Sequence, residues 1–241
     1  MRFETGIKRF DALLGGGLPP GTASLVYGPP FVGKDVLSRL FALNAMRRGV
    51  PSLLVLTNGS ASDQRKAFAA LDPRYPELEK SGLAWYVDTY SRSIGAAEDH
   101  PSTEYVDSPI NLNGISLAVN NAERKIIGQH PGHVMVFDSI STLIAYTNAQ
   151  TTFRFLQVFV GKTKRAGATS MLLLDQGMHT EAEVQMCKHL ADGVVEVKNE
   201  ADKHLIHVQG LAAHDIPGWV EYRFSPGEFD ITGSFAAGRI K

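Results

Sequence analysis

The stretch that most limits how this chain can fold is Gly28-Pro29-Pro30-Phe31-Val32-Gly33-Lys34. An apolar run at 23–27 precedes it, and a helical pattern over about 35–48 follows it. A strand that turns through a glycine-bounded loop straight into a helix gathers several backbone N–H groups, the positive end of the helix dipole and one lysine at a single place. A polyphosphate needs that arrangement, with the N–H groups turned inward and the ammonium reaching its outer oxygens. Gly28, Pro30, Phe31, Val32, Gly33, Lys34, Asp35 and Val36 are therefore the candidate nucleotide-binding residues.

The motif breaks at its last position. Asp35 stands where a Ser or Thr hydroxyl would normally hold Mg2+. About 4 Å from a phosphate oxygen its carboxylate would repel by roughly 4 kcal/mol at an effective dielectric near 20, more than one N–H contact returns. Two readings stay open: Asp35 ligates Mg2+ directly, as carboxylates ligate hard cations, or it is an acid in a first helical turn that competes with phosphate for the same donors.

The length of 241 residues and a hydrophobic content of 44% suit one large α/β domain over 1–241, with 233–241 as a flexible tail. Lys and Arg number 24 against 25 Asp and Glu, so no global field draws the chain to nucleic acid or an anionic membrane. The one cysteine, Cys187, has no partner within the chain. Met1-Arg2-Phe3-Glu4 lacks the apolar core of a signal peptide and no apolar run approaches membrane-spanning length, so the expectation is a cytoplasmic protein.

Residues 5–21, TGIKRFDALLGGGLPPG, together with the loop after them, resemble the start of the KaiC-like branch of the RecA superfamily. Further similarity lies in SPINLNGISLA at 108–118, GAT at 167–169 and LADGVVEV at 190–197. The resemblance implies a RecA-like P-loop NTPase core with a mostly parallel sheet flanked by helices. It also implies a homo-oligomeric ring or filament with ATP and Mg2+ between subunits.

The apolar run 133–137 reads as a buried strand ending at Asp138-Ser139. Ligands of doubly wound sheets lie beyond the carboxyl ends of the strands, so this end should converge on the loop. By resemblance Asp138 is the aspartate that holds Mg2+ through water, and Asp175 or Gln176 falls where the family places a sensor of the γ-phosphate. Two departures accompany Asp35. Asn58 and Gly59 occupy the places of an adjacent glutamate pair, one of which activates the attacking water, and losing such a group costs about 10²–10⁴ in rate. No Lys or Arg occurs between Lys203 and Arg223, where the family carries a K-x-RG motif ahead of the histidine matched by His214.

These features point to an ATP-binding regulatory or signalling protein with weak or absent hydrolysis, acting on a protein partner not identified by sequence. The alternative is a scaffold that binds no nucleotide. A recombinase-like DNA factor is disfavoured, because 176–187 contains two glutamates and no Lys or Arg to neutralise phosphates. His179, Cys187 and His189 have no closed zinc-site spacing, and Ser139 lacks the Gly-x-Ser-x-Gly turn of a nucleophile. Thr57-Asn58-Gly59-Ser60 reads as an ordinary turn, 91–109 as a solvated connection, and 219–231 as paired edge strands. The apolar coverage of a helix at about 151–166 is wide enough for the sheet and a neighbouring subunit. In the helix after the loop, Arg39 falls outside the apolar face.

Overall fold

Apolar runs between glycine-rich turns become strands buried on both faces, and the amphipathic stretches between them become the covering helices. A computed structural model describes residues 2–211 and 218–233. In chain order it contains α1 (Lys8–Leu13), β1 (Ala23–Gly28), α2 (Lys34–Arg47), β2 (Ser52–Leu56), α3 (Ala61–Leu71), α4 (Tyr75–Lys80), β3 (Ala84–Asp88) and β4 (Thr103–Tyr105). There follow α5 (Leu112–Ile127), β5 (His133–Asp138), α6 (Ile140–Tyr146), α7 (Ala149–Arg165), β6 (Ala168–Asp175) and α8 (Glu181–Leu190). The last elements are β7 (Gly193–Glu200), β8 (Lys203–Gln209), β9 (Val220–Ser225) and β10 (Glu228–Ile231).

The strands form one ten-stranded sheet in the order β10-β9-β8-β7-β1-β6-β5-β2-β3-β4. From β7 to β4 every neighbour is parallel, and β7 to β10 form an antiparallel meander. Period-2 alternation splits the core. Val134 and Val136 face the α1–α4 side with Leu37, Phe41 and Phe68. Met135 and Phe137 face the α5–α8 side with Ile115, Leu156 and Phe159. Ser60, Asn111, Ser139, Asn148 and Thr180 each cap a helix start with a side-chain oxygen.

The TGI and FD pieces of the N-terminal motif meet at one buried carboxylate. Asp11 accepts from Thr5 N at 2.7 Å, Thr5 Oγ1 at 2.8 Å and Gly6 N at 3.1 Å. Burial still pushes its pKa above the usual carboxylate value.

The meander holds the phosphate loop from outside. A Cβ on Gly28 would lie 2.3 Å from the Val197 carbonyl of β7, and one on Gly33 would lie 2.7 Å from the Phe224 ring of β9. Gly33 also has φ +79°, which favours glycine. Tyr222 on β9 donates its hydroxyl to the Val32 carbonyl at 2.6 Å. These glycines therefore serve close packing of strand and ring as well as loop curvature.

Two stretches differ from expectation. Residues 91–109 are more than a solvated connection: Ser91–Ile94 form a 3-10 turn and β4 pairs parallel with β3, Tyr86 opposite Thr103. Arg65 of α3 draws this segment in. Its guanidinium meets Glu79 at 2.8 Å, His100 Nδ1 at 2.9 Å and Thr103 Oγ1, contacts that no local pattern announces. The second is the Pro-interrupted stretch at 72–80, whose sequence reads as a turn but which contains α4, with Pro76 in its first turn, where a missing N–H costs nothing. The paired strands at 219–231 are β9 and β10. On α7, Leu156, Phe159 and Val160 are buried while Val158 is exposed. His214 and the tail beyond 233 lie outside the described residues. No helix among the described residues is long and apolar enough to cross a membrane.

Replacing Tyr222 by Phe leaves the Val32 carbonyl without its donor and should cost about 1 kcal/mol. The check is urea unfolding, with a lower midpoint at unchanged slope. An unchanged midpoint would show that this bond does not support the loop.

Candidate nucleotide site

Parallel register brings the pieces together. Gly28 at the end of β1 lies opposite Asp175 at the end of β6, and Leu56 at the end of β2 lies opposite Asp138 at the end of β5. The loop, both aspartates and the turn after β2 thus share the carboxyl edge of the sheet.

Among the described residues the N–H groups of Phe31, Val32, Gly33, Lys34, Asp35 and Val36 donate to no backbone acceptor; the first bond at this helix end is Leu37 N to Gly33 O at 2.9 Å. Phe31 forms the exposed apex with φ 62°, an uncommon conformation for a residue with a Cβ. Val32 and Val36 bury their side chains in the core and offer the site only their amides. Pro30 shapes the loop but has no N–H to give.

Lys34 is the buried cation of the site, its side chain 8% exposed. Its Nζ donates to Gly28 O and Pro29 O, each at 2.6 Å, and meets Asp175 Oδ1 at 2.9 Å. Two of the donors of this ammonium thus bond loop carbonyls, and its charge is paired with Asp175. Asp175 is thereby joined to the loop through the lysine. Its own N–H donates to Ser141 Oγ at 2.8 Å, and Gln176 N donates to Gly28 O at 2.8 Å. The side chain of Gln176 is exposed.

Asp35 turns along its own helix toward Arg39, with Oδ2 3.6 Å from Nη2. Arg39, 19% exposed, also donates from Nε to Gln64 Oε1 of α3 at 3.3 Å. Asp35, Arg39, Gln64 and Asp138 line one cavity of about 10 Å3, floored by Leu54, Leu56 and Val136. The Asp138 carboxyl is pushed up to about 6, chiefly by burial and then by the charges of Asp175 and Asp35, while Arg39 and Asn58 act in the opposite direction. Asn58, at a glutamate position of the resemblance, is therefore beside Asp138.

The turn after β2 is more than a connection. Thr57 N donates to Asp138 O at 2.7 Å, Thr57 Oγ1 accepts from Ser139 N at 2.8 Å and donates to Ser139 O at 3.0 Å. Thr57 clamps the strand end that carries Asp138. Arg39, Gln64 and Thr57 were not legible as site residues. An Asp-Arg pair four apart on a helix reads as a surface pair, and only the sheet register brings Asp138 to it.

An Mg2+ ion demands near-octahedral oxygen ligands at about 2.0–2.1 Å and keeps several waters. Here the hydroxyl is replaced by Asp35, the Arg39 guanidinium faces that carboxylate and shares the cavity with Asp138, and the cavity has room for about one water. Among the described residues no three His, Cys, Asp or Glu side chains are grouped to hold a metal. The residues present do not fit the ion.

A model of the KaiC ATPases matches residues 3–210. The chain belongs to the KaiC ATPase family. It is 26% identical over 200 residues to UPF0273 protein MK0039 of Methanopyrus kandleri, covering 81% of this chain and 76% of that one. It is also 26% identical over 211 residues to a UPF0273 protein of Aeropyrum pernix, at 85% and 81% coverage. The crystal structure of the KaiC-like protein PH0186 from Pyrococcus horikoshii superposes with a TM-score of 0.76 at 18% identity, over 96% of this chain and 99% of that one. The fold is therefore RecA-like. KaiC-like proteins generally bind ATP with Mg2+ and commonly form rings.

The raised pKa of Asp138 predicts a pH-dependent stability for this KaiC-family chain. The folded value of about 6 lies above the ordinary 3.8, so the folded state bears a cost that is full above about pH 6 and absent below about pH 4. Asp138→Asn should stabilise the fold by about 1–3 kcal/mol at pH 8, a gain that fades as the pH falls to 4. Urea unfolding across that range checks it, and a pH-independent difference would contradict it.

Proposed function

We propose that this chain is a KaiC-family regulatory or signalling protein that binds ATP, hydrolyses it slowly or not at all, and uses occupancy to set its assembly and the binding of a protein partner. The observation that carries the reading is the row of N–H groups from Phe31 to Val36 at the start of α2, unpaired among the described residues. Such a row is an anion cradle. Gly28 and Gly33 shape it, and Lys34 is the cation at its edge.

Slow hydrolysis follows from the side chains around Asp138. The Asn58 amide cannot take a proton from water, and the neighbouring Asp35 and Arg39 are paired with each other. The regulatory reading follows from Lys34. A triphosphate that takes this ammonium must displace Asp175, so binding is coupled to a change at the end of β6. The assembly proposed is a ring or filament of identical chains.

The engagement of Lys34 with two loop carbonyls and the Asp175 carboxylate favours a second reading, the scaffold that binds no nucleotide. Calorimetric titration with ATP separates the two. The first reading expects saturable binding that Lys34→Ala weakens. Asp175→Asn should strengthen it by roughly tenfold, since the competing charge-assisted bond is worth about 1.5–3 kcal/mol. No heat from wild type or Asp175→Asn up to millimolar ATP would leave only the scaffold.

A further inference from the structure

The carboxyl edge of the sheet gathers Asp35, Asp138 and Asp175 around a loop suited to anions. Three carboxylates beside a phosphate cradle need compensating charge. A divalent ion would ordinarily provide it, yet the donor set does not suit one. The compensation is instead found among the side chains: Lys34 pairs with Asp175 at 2.9 Å, and Arg39 faces Asp35 at 3.6 Å.

Arg39 is held in that role from two helices. Its backbone lies one turn beyond Asp35 on α2, and its Nε is bonded to Gln64 of α3. The guanidinium is mostly buried and shares a small cavity with Asp138, below which the sheet presents Leu54, Leu56 and Val136. An ordinary surface arginine paired four residues away would stay solvated and interchangeable with lysine. This one is mostly buried, faces the Asp35 carboxylate, donates to the Gln64 amide oxygen and shares its cavity with Asp138, which suits guanidinium.

We propose that Arg39 is a resident cation standing in for the divalent ion, so that this protein binds nucleotide without Mg2+. The inference rests on the nucleotide-binding reading for its consequence, and on the Asp35–Arg39–Asp138 cluster for its cause. With Arg39 in place, Asp35 is a charge-compensated partner and does not ligate a metal. A divalent ion held by Asp35 would compete with this guanidinium for the carboxylate.

Two titrations of the purified full chain test this. In the first, ATP is titrated calorimetrically in excess Mg2+ and in excess EDTA. The expected affinities agree within about twofold, whereas binding weaker by tenfold or more in EDTA, about 1.4 kcal/mol, overturns the proposal and leaves the nucleotide reading intact. In the second, Mn2+ alone is followed by electron paramagnetic resonance. Wild type and Arg39→Lys should not take up the ion, while Arg39→Gln should acquire a site that the further change Asp35→Asn removes.

Mn2+ uptake by wild type that Asp35→Asn abolishes overturns the proposal, as does equal indifference to Mn2+ in wild type and Arg39→Gln. If ATP binds under neither condition, the nucleotide reading falls and the Mn2+ titration alone decides the role of Arg39. Circular dichroism of each variant confirms that it is folded.

Discussion

A lysine ammonium that is 8% exposed has to find acceptors, and the way Lys34 finds them organises the whole carboxyl edge of the sheet. Two acceptors are carbonyls of its own loop, which the ammonium draws closed. The third is Asp175, which ties the loop to β6. Gly28 and Gly33 allow Val197 and Phe224 to pack directly against the same loop, and Tyr222 bonds its Val32 carbonyl. The loop is thus gripped by the parallel core on one side and by the antiparallel meander on the other.

The same edge concentrates like charge. Asp138 is buried beside two other aspartates, which raises its affinity for a proton. Lys34 offsets the charge of Asp175 through a pair at 2.9 Å, and Arg39 faces Asp35 at 3.6 Å. The Asp at the end of the loop motif is thereby accommodated by an arginine one helical turn later. Asp35 faces a cation of its own helix, Arg39, at 3.6 Å.

Much of the fold could be read from local pattern. Apolar runs at 23–27, 133–137 and 168–174 are central strands, since a strand buried on both faces has no polar alternation to obscure it. β4 and α4 could not be read in this way. β4 has three half-buried residues and exists because Arg65, Glu79, His100 and Thr103 come together across long sequence separations. The turn at 57–60 looked ordinary because the partners of Thr57 lie in another strand.

By itself the sequence determined the strand-loop-helix unit, its glycines, the lysine and the substitution of Asp35 for a hydroxyl. Those features depend on spacings of a few residues, where backbone geometry translates directly into position. Only the tertiary structure decided that Asp175 ion-pairs with Lys34, that Arg39 and Asp138 share a cavity, and that Tyr222 and Phe224 brace the loop. These contacts join residues up to 190 positions apart, and their distances follow from sheet order and register, which local spacing does not encode.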